Sequence, residues 1–409
     1  MNVATQDDMV VGLDIGTSKV VAIVGAHSPQ GLEIIGLGSH PSKGLKKGVV
    51  VDIDSTVQSI QCAIEEAELM ADCDIRSVHV GIAGSHVKGM NSSGVVAIRG
   101  GEVDEHDDRR VIDAAQAVSI PSDQEVLHVL TQDYRVDDQE GVRQPQGLSG
   151  VRLEANVHLV TCARTAIQNI EKCINRAGRQ VDKVVLEQLA SSHAVLTEEE
   201  REQGVCLVDI GHGTTDIAVF IGGAMCHTGV IPVAGYQVTG DIATALRTPT
   251  HHADDLKLQY ACALASLTRP EETIQVPGVG DRAPREMSRQ VLAEAVEQRY
   301  EELFGFVQKQ LRSSGYEERL TAGVVLTGGS SRMEGAVELA EEVFHMPVRL
   351  GLPRDLRGLK DIVANPIYAT GVGLLKYATE HTPPPRTRFA PTGMADWFGR
   401  VKNWVKGNF

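Results

Sequence analysis

Basic charge is in short supply: 39 Lys and Arg stand against 54 Asp and Glu, a net charge of −15. A nucleic acid would have to approach such a surface against a repulsive field, and none is expected as a partner. Long apolar runs are missing too. Nothing approaches the ~18 consecutive apolar residues of a spanning helix, and the N-terminus MNVATQDDMVVGLDIG carries acidic residues where a signal peptide needs basic ones. The protein is therefore expected to stay in the cytoplasm. Close cysteine pairs are lacking, since Cys62, Cys73, Cys162, Cys173, Cys206, Cys226 and Cys262 are scattered and odd in number. This argues against a metal cluster or a disulfide framework, and all seven read as reduced, small core residues. Tryptophan occurs only at 397 and 404, both within the last sixteen residues.

What is present is enough for substantial cores. With 409 residues and 42% apolar content, the chain should form about two to three folding units of ~150 residues each. Its most informative feature is an internal echo. Residues 10–25 read VVGLDIGTSKVVAIVG and residues 205–220 read VCLVDIGHGTTDIAVF, so Asp14 and Asp209 hold matching places 195 positions apart. Two similar halves are implied, rather than a short-period solenoid.

In the first half, runs at 32–37 and 78–82 read as strands and 54–70 as a helix; the helix 166–176 and strand 181–186 return to it later. Residues 85–163 interrupt this rhythm with Gly-rich turns, a charged helix near 102–117 and strands near 125–134 and 151–160. After the second DIG turn, residues 233–318 carry several helices, with a strong helical pattern over 287–311. The run 323–329 resumes the second sheet and a helix at 365–377 closes it. Beyond lies HTPPPRTRFAPTG, a Pro-rich, extended linker.

A strand ending in Asp-Ile-Gly-Thr suits phosphate chemistry. Gly16 allows a tight turn close to an anion, Thr17, Ser18 and Lys19 offer N–H, hydroxyl and ammonium groups, and Asp14 can hold the waters of Mg²⁺. The second copy offers Gly211, Gly213, Thr214 and Thr215, with Asp209 near the metal. One such turn alone reads better as an ordinary hairpin; two copies at the heads of two sheets reverse that. A third element, Thr327-Gly328-Gly329-Ser330 after the apolar strand, removes the side chains that would block a nucleoside.

The tail MADWFGRVKNWVKGNF carries a different pattern. At 100° per residue, Trp397, Phe398, Val401, Trp404, Val405 and Phe409 fall within an arc of about 140°, with Arg400, Lys402, Asn403 and Lys406 outside it. Asp396 can cap the first turn, and three basic residues against one acidic give the segment +2. An amphipathic helix lying on an anionic lipid surface is expected, the alternative being a helix docked on its own domain. Six partly buried apolar side chains would gain roughly 6–10 kcal/mol gross, much of it offset by ordering. Single copies should then bind weakly and side-by-side copies firmly.

The order DIGTSK, LEQLASS (186–192), DIGHGTTD, LTGGSSRMEG and NPIYATGVGLL resembles the phosphate-1, connect-1, phosphate-2, adenosine and connect-2 motifs of the actin/Hsp70/sugar-kinase superfamily. Within it, KGLKKGVVVDID (43–54), VTGDIATAL followed by ADDLK, LAEAVEQRYEEL and the terminal helix are similar to the FtsA family of bacterial cell-division proteins. The resemblance covers nearly the whole chain. It implies an α/β, actin-like (ribonuclease H-like), two-lobed ATPase fold with inserted small subdomains. Residues 1–84 and 164–195 would form the first actin-like subdomain and 85–163 an inserted one. Residues 196–232 and 319–379 would form the second, with 233–318 inserted, 380–393 as linker and 394–409 as the membrane-targeting helix.

The resemblance also implies ATP and Mg²⁺ between the two halves, with Lys257 near the adenosine and Glu187 or Gln188 placed to orient a water. Hydrolysis should be slow, so the chain is expected to be a nucleotide-binding scaffold rather than an enzyme. The partners implied are the C-terminal peptide of the tubulin-like protein FtsZ, received around Arg299, Tyr300 and Glu302, further copies of this chain, and later division proteins. The place implied is the cytoplasmic face of the inner membrane at the division site. This sequence departs from the family pattern at His212, where glycine is usual, at Gln188 and Gln298, often proline, and at Asp254, usually glutamate. A glycine in a phosphate turn often has positive φ, which a histidine would adopt only with strain.

Other members of the superfamily fit less well. A small-molecule kinase would need a second-substrate motif in the inserts, and a chaperone would need far more chain after Tyr377. A rod-shape relative is disfavoured by the insert at 85–163, and the basic amphipathic tail disfavours both it and a pilus-assembly relative.

Overall fold

A computed structural model describes residues 9–28, 31–280 and 282–381; Glu380 and His381, expected to open the linker, still belong to the last helix, while the rest of the linker and the tail residues Trp397, Phe398, Arg400, Val401, Lys402, Trp404, Val405 and Lys406 lie outside the described residues. The described chain divides into two compact units, one of residues up to Ile82, Ala166–Val195 and from Leu352, the other of Ala83–Thr165 and Leu196–Gly351.

The first unit is built on a five-stranded sheet. Its strand order is Gln180–Leu186, Ser77–Ile82, Met9–Ile15, Lys19–Ser28 and Gly31–Pro41. The first three strands are parallel and the last three form an antiparallel meander. Leu13, Val20, Val21, Ala22, Ile23 and Val24 are all fully buried, so the central strands read as continuous apolar runs because both faces are covered. Helix Ile53–Ala71 packs on the sheet, entered through Asp52, whose side chain accepts from the Ser55 N–H.

The second unit repeats this plan. Its sheet runs Ala224–Ile231, Thr215–Ile221, Val205–Ile210, Gly323–Thr327 and Val348–Leu350. Again three strands are antiparallel and three parallel, with the DIG strand shared between the two patterns. The echo between Asp14 and Asp209 is thus a duplication of topology as well as of sequence.

Two smaller pieces belong to this second unit. One is the four-stranded antiparallel sheet of Val87–Ala97, Arg152–Ala163, Gln124–Val136 and Gln139–Val142, covered by helix Glu105–Gln116. The strand Val87–Ala97 was hidden in the Gly-rich stretch. Gly94 is required there by packing, since a Cβ would lie 2.2 Å from the Val111 carbonyl oxygen of the covering helix. The other piece holds helices Gly235–Ala245, Thr250–Tyr260 and Arg289–Ser314 with a short hairpin of Thr273–Val276 and Arg285–Ser288. Met287, expected to begin the long helix, pairs instead with Ile274 in that hairpin, and Ser288 caps the helix by accepting from the Gln290 N–H.

All seven cysteines are free; five are buried, and Cys62 and Cys73 are half-buried rather than core. Among the described residues no helix is long and apolar enough to cross a membrane and no His, Cys, Asp and Glu cluster suggests a metal.

Candidate functional site: two glycine turns at the ends of the DIG strands

In the first unit, Ile15 pairs with Val20, so residues 16–19 alone reverse the chain. A Cβ on Gly16 would lie 2.9 Å from the Lys19 carbonyl oxygen, which is why the turn takes glycine although its φ is not positive. Asp14, Thr17 and Lys19 are half-buried and Ser18 is exposed; the Lys19 ammonium lies 4.7 Å from the centre of the Tyr368 ring. Thr17 Oγ1 accepts from the Gly48 N–H at 3.3 Å, and the Ser18 carbonyl accepts from the Ser42 N–H at 2.9 Å. These bonds tie the basic hairpin that turns at Lys47 and Gly48, whose φ values are 51° and 75°, to the phosphate turn.

Helix Glu187–Val195 begins directly after strand Gln180–Leu186 in the same unit. Gln188 has no exposed surface and neither end of its amide finds a hydrogen-bond partner among the described residues. It cannot present itself to a substrate water. Glu187 is half-buried and packs against Gly81, where a Cβ would meet its Cγ at 2.8 Å.

In the second unit, the turn closes through the Gly211 N–H donating to the Thr214 carbonyl at 3.0 Å. Thr214 Oγ1 donates to Asp216 Oδ2 at 2.9 Å and Thr215 Oγ1 to the Val233 carbonyl at 2.8 Å; Gly213 is buried. Asp209 and Asp216 face each other across the paired strands. Burial, and then the charge of Asp209, push the Asp216 carboxyl up to about 8, although the Thr214 hydroxyl opposes them.

The adenosine motif meets this turn directly. Gly328 has φ 85°, and Ser330 Oγ donates to the Gly211 carbonyl at 2.7 Å. Gly329, between them, is exposed. Gly235, at the start of helix Gly235–Ala245, donates its N–H to the same Gly211 carbonyl at 3.2 Å. Lys257 reaches back to this helix, with Nζ 2.7 Å from Thr239 Oγ1, 2.5 Å from Asp254 Oδ1 and 3.5 Å from the Gly235 carbonyl. Burial alone would raise the Asp254 carboxyl, but the Lys257 ammonium outweighs it and holds it below the usual range.

The expected strain at His212 is absent. It is not among the residues with positive φ; its carbonyl accepts from the Tyr236 N–H at 2.8 Å and its ring packs edge-on to Tyr236. Burial, and then the nearby Lys257 charge, lower its pKa.

The partner residues separate. Arg299 is half-buried, with Nε 2.5 Å from Asp241 Oδ2 and a second nitrogen 3.0 Å from Oδ1, and it also pairs with exposed Glu302. Tyr300 is only 1% exposed, and its hydroxyl donates to the Ser330 carbonyl at 2.7 Å. It therefore belongs to the interior behind the adenosine loop and offers no surface to a peptide. The resemblance implies a partner role for Tyr300 beside Arg299 and Glu302, and its burial contradicts that; nothing in the spacing could show what its hydroxyl touches.

The family model described as "Cell division protein FtsA" matches residues 206–373, and that described as "SHS2 domain inserted in FTSA" matches 84–161. A cell division protein FtsA of Pseudomonas aeruginosa is 62% identical over 98% of both chains. This chain belongs to the FtsA family. The FtsA of Escherichia coli strain K12 is 46% identical over 99% of both.

Solved structures add the fold. A PilM-PilN type IV pilus biogenesis complex aligns over 90% of this chain and 97% of the other, with TM-score 0.61 and 17% identity. MreB5 of Spiroplasma citri bound to ADP aligns over 91% and 96%, with TM-score 0.55 and 13% identity. The family member described here therefore has the actin-like α/β fold with an inserted SHS2 domain.

Proposed function

We propose that this FtsA-family chain binds ATP with Mg²⁺, self-associates on the inner membrane and anchors the FtsZ ring to it, serving as a base on which later division proteins assemble. The observation that carries the nucleotide reading is the meeting of Ser330, Gly211 and Gly235 at one carbonyl, beside a Gly328 that only glycine can occupy comfortably. Backbone bared in this way can approach a nucleoside and its phosphates. The MreB5 structures bound to ADP and to AMPPNP support the same reading.

The residues present fit Mg-ATP. The turn at Gly16, Thr17, Ser18 and Lys19 and the turn at Gly211, Gly213, Thr214 and Thr215 would hold phosphate oxygens. Asp14 and Asp209 would hold the waters of Mg²⁺, and Gly328, Gly329, Ser330 and Lys257 would line the nucleoside. Magnesium supplies charge neutralisation at the phosphates. Turnover is slow, with Glu187 the carboxylate that the connect-1 motif supplies for orienting a water. Arg299 and Glu302 offer a charged surface for the FtsZ peptide, and the tail at 394–409 supplies the lipid contact, strengthened when copies stand side by side.

Liposome co-sedimentation tests the whole reading, using the full chain and a form ending at Thr382, with and without Mg-ATP and the FtsZ tail peptide. The full chain should sediment more strongly with Mg-ATP and carry the peptide with it, whereas the shortened form should stay in solution. Equal sedimentation of both forms, or indifference to Mg-ATP, would remove the anchoring scheme. A steady-state turnover of many ATP per second without partners would remove the scaffold reading.

A further inference from the structure

The long helix Arg289–Ser314 touches the nucleotide-side loops through two consecutive residues. Tyr300 is buried, and its hydroxyl donates to the Ser330 carbonyl at 2.7 Å. The side chain of that same Ser330 donates to the Gly211 carbonyl at 2.7 Å. One residue earlier, Arg299 grips Asp241 with two nitrogens, and Asp241 sits on the helix whose first residue, Gly235, donates to Gly211 as well.

The helix thus holds both sides of one point. Through Tyr300 it fixes the adenosine loop, and through Arg299 it fixes the helix that abuts the phosphate turn. A Tyr in this place has a bland explanation, since its ring packs edge-on to Phe304 within the core. Packing needs only the ring, however. A buried hydroxyl must find a partner, and here the partner is the backbone of Ser330, whose side chain bonds to the phosphate turn.

We propose that the Tyr300 hydroxyl is a positioning group for the nucleotide: it holds Ser330 in the orientation that lets its side chain pin Gly211, so that the adenosine loop and the phosphate turn move as one. This rests on the reading that the chain binds ATP. Tyr300 touches no substrate itself, and its contribution passes entirely through Ser330.

The test uses the full chain as parent, Tyr300→Phe, Ser330→Ala and the double variant. ATP affinity is measured with a ribose-labelled fluorescent ATP, and the thermal midpoint with and without saturating Mg-ATP. Tyr300→Phe keeps the ring, so the fold is retained, and it should weaken ATP binding roughly three- to tenfold. Ser330→Ala should do the same. The double variant should lose less than the product of the two, since both break one chain of bonds. The rise in midpoint produced by Mg-ATP should shrink in Tyr300→Phe, which a purely structural tyrosine would not cause. A parent that does not bind ATP overturns the nucleotide reading and the relay with it. Parent-like affinity in Tyr300→Phe, losses that multiply independently, or a midpoint that drops while its nucleotide-induced rise stays whole, each overturns the relay alone.

Discussion

Gly328 and Asp209 share one space: a Cβ on Gly328 would lie 2.3 Å from Asp209 Oδ1 and 2.6 Å from the Ile210 carbonyl oxygen. The adenosine loop can therefore close over the DIG strand only because it carries no side chain there, and its φ of 85° demands glycine independently.

Gly328→Ala should accordingly destabilise the chain by about 2–4 kcal/mol, from left-handed backbone and a clash that backbone atoms cannot relieve. It should also abolish ATP binding. Urea unfolding measures the first effect and nucleotide titration the second; a variant as stable as the parent would show that the loop sits elsewhere.

His212→Gly runs the other way from what the family pattern suggests. Because His212 adopts an ordinary backbone conformation and packs on Tyr236, restoring glycine relieves nothing and adds chain entropy to the unfolded state. A loss of about 0.5–1 kcal/mol in urea unfolding is expected, and a gain in stability would contradict the geometry.

Gln188→Met should stabilise the first unit by about 1 kcal/mol. The amide of Gln188 is fully buried without a protein partner among the described residues, and an apolar side chain of similar length removes that desolvation penalty. A lowered denaturation midpoint would mean that the amide is satisfied in solution.

His158 predicts an acid sensitivity. It is 1% exposed, its ring nitrogens lie 2.6 Å from Asn91 Oδ1 and 3.0 Å from Thr228 Oγ1, and burial, then nearby His227, hold its pKa down to about 4. Between that value and the ordinary 6.5 the unfolded chain binds the additional proton. The stability from neutral His158 is therefore complete above about pH 6.5 and falls as pH drops towards 4. Going from pH 7 to pH 5 should remove about 2 kcal/mol. His158→Gln, compared with the parent by urea unfolding at both pH values, should show a loss smaller by that amount; identical losses would place the sensitivity elsewhere.

Much of this was legible in the sequence because its signals are local. The two DIG strands read as buried runs because the sheets are covered on both faces, and their equal topology follows from their equal pattern. The strand Val87–Ala97 was not legible, because its Asn, Ser and Gly residues are turn formers on any local scale. Gly94 is there to let a helix lie close, which is a fact of packing and not of propensity. Met287 satisfied the helical period yet belongs to a hairpin, since Ser288 offers a cap only once the chain has turned. The turns at Asp14 and Asp209 were placed by motif. The link from Tyr300 to Ser330 joins residues thirty positions apart, and no periodicity could announce it.

Helix Ala369–His381, expected to close the second sheet, lies instead on the first sheet at backbone distance, within the first unit. A Cβ on Gly12 would meet the Gly371 carbonyl oxygen at 2.6 Å, and one on Gly373 would meet the Ala190 carbonyl oxygen at 1.8 Å. At these two points backbone lies against backbone, and a side chain at either glycine would force the segments apart. The end of the described chain is therefore packed directly on the strand Met9–Ile15, which leads into the Gly16 turn.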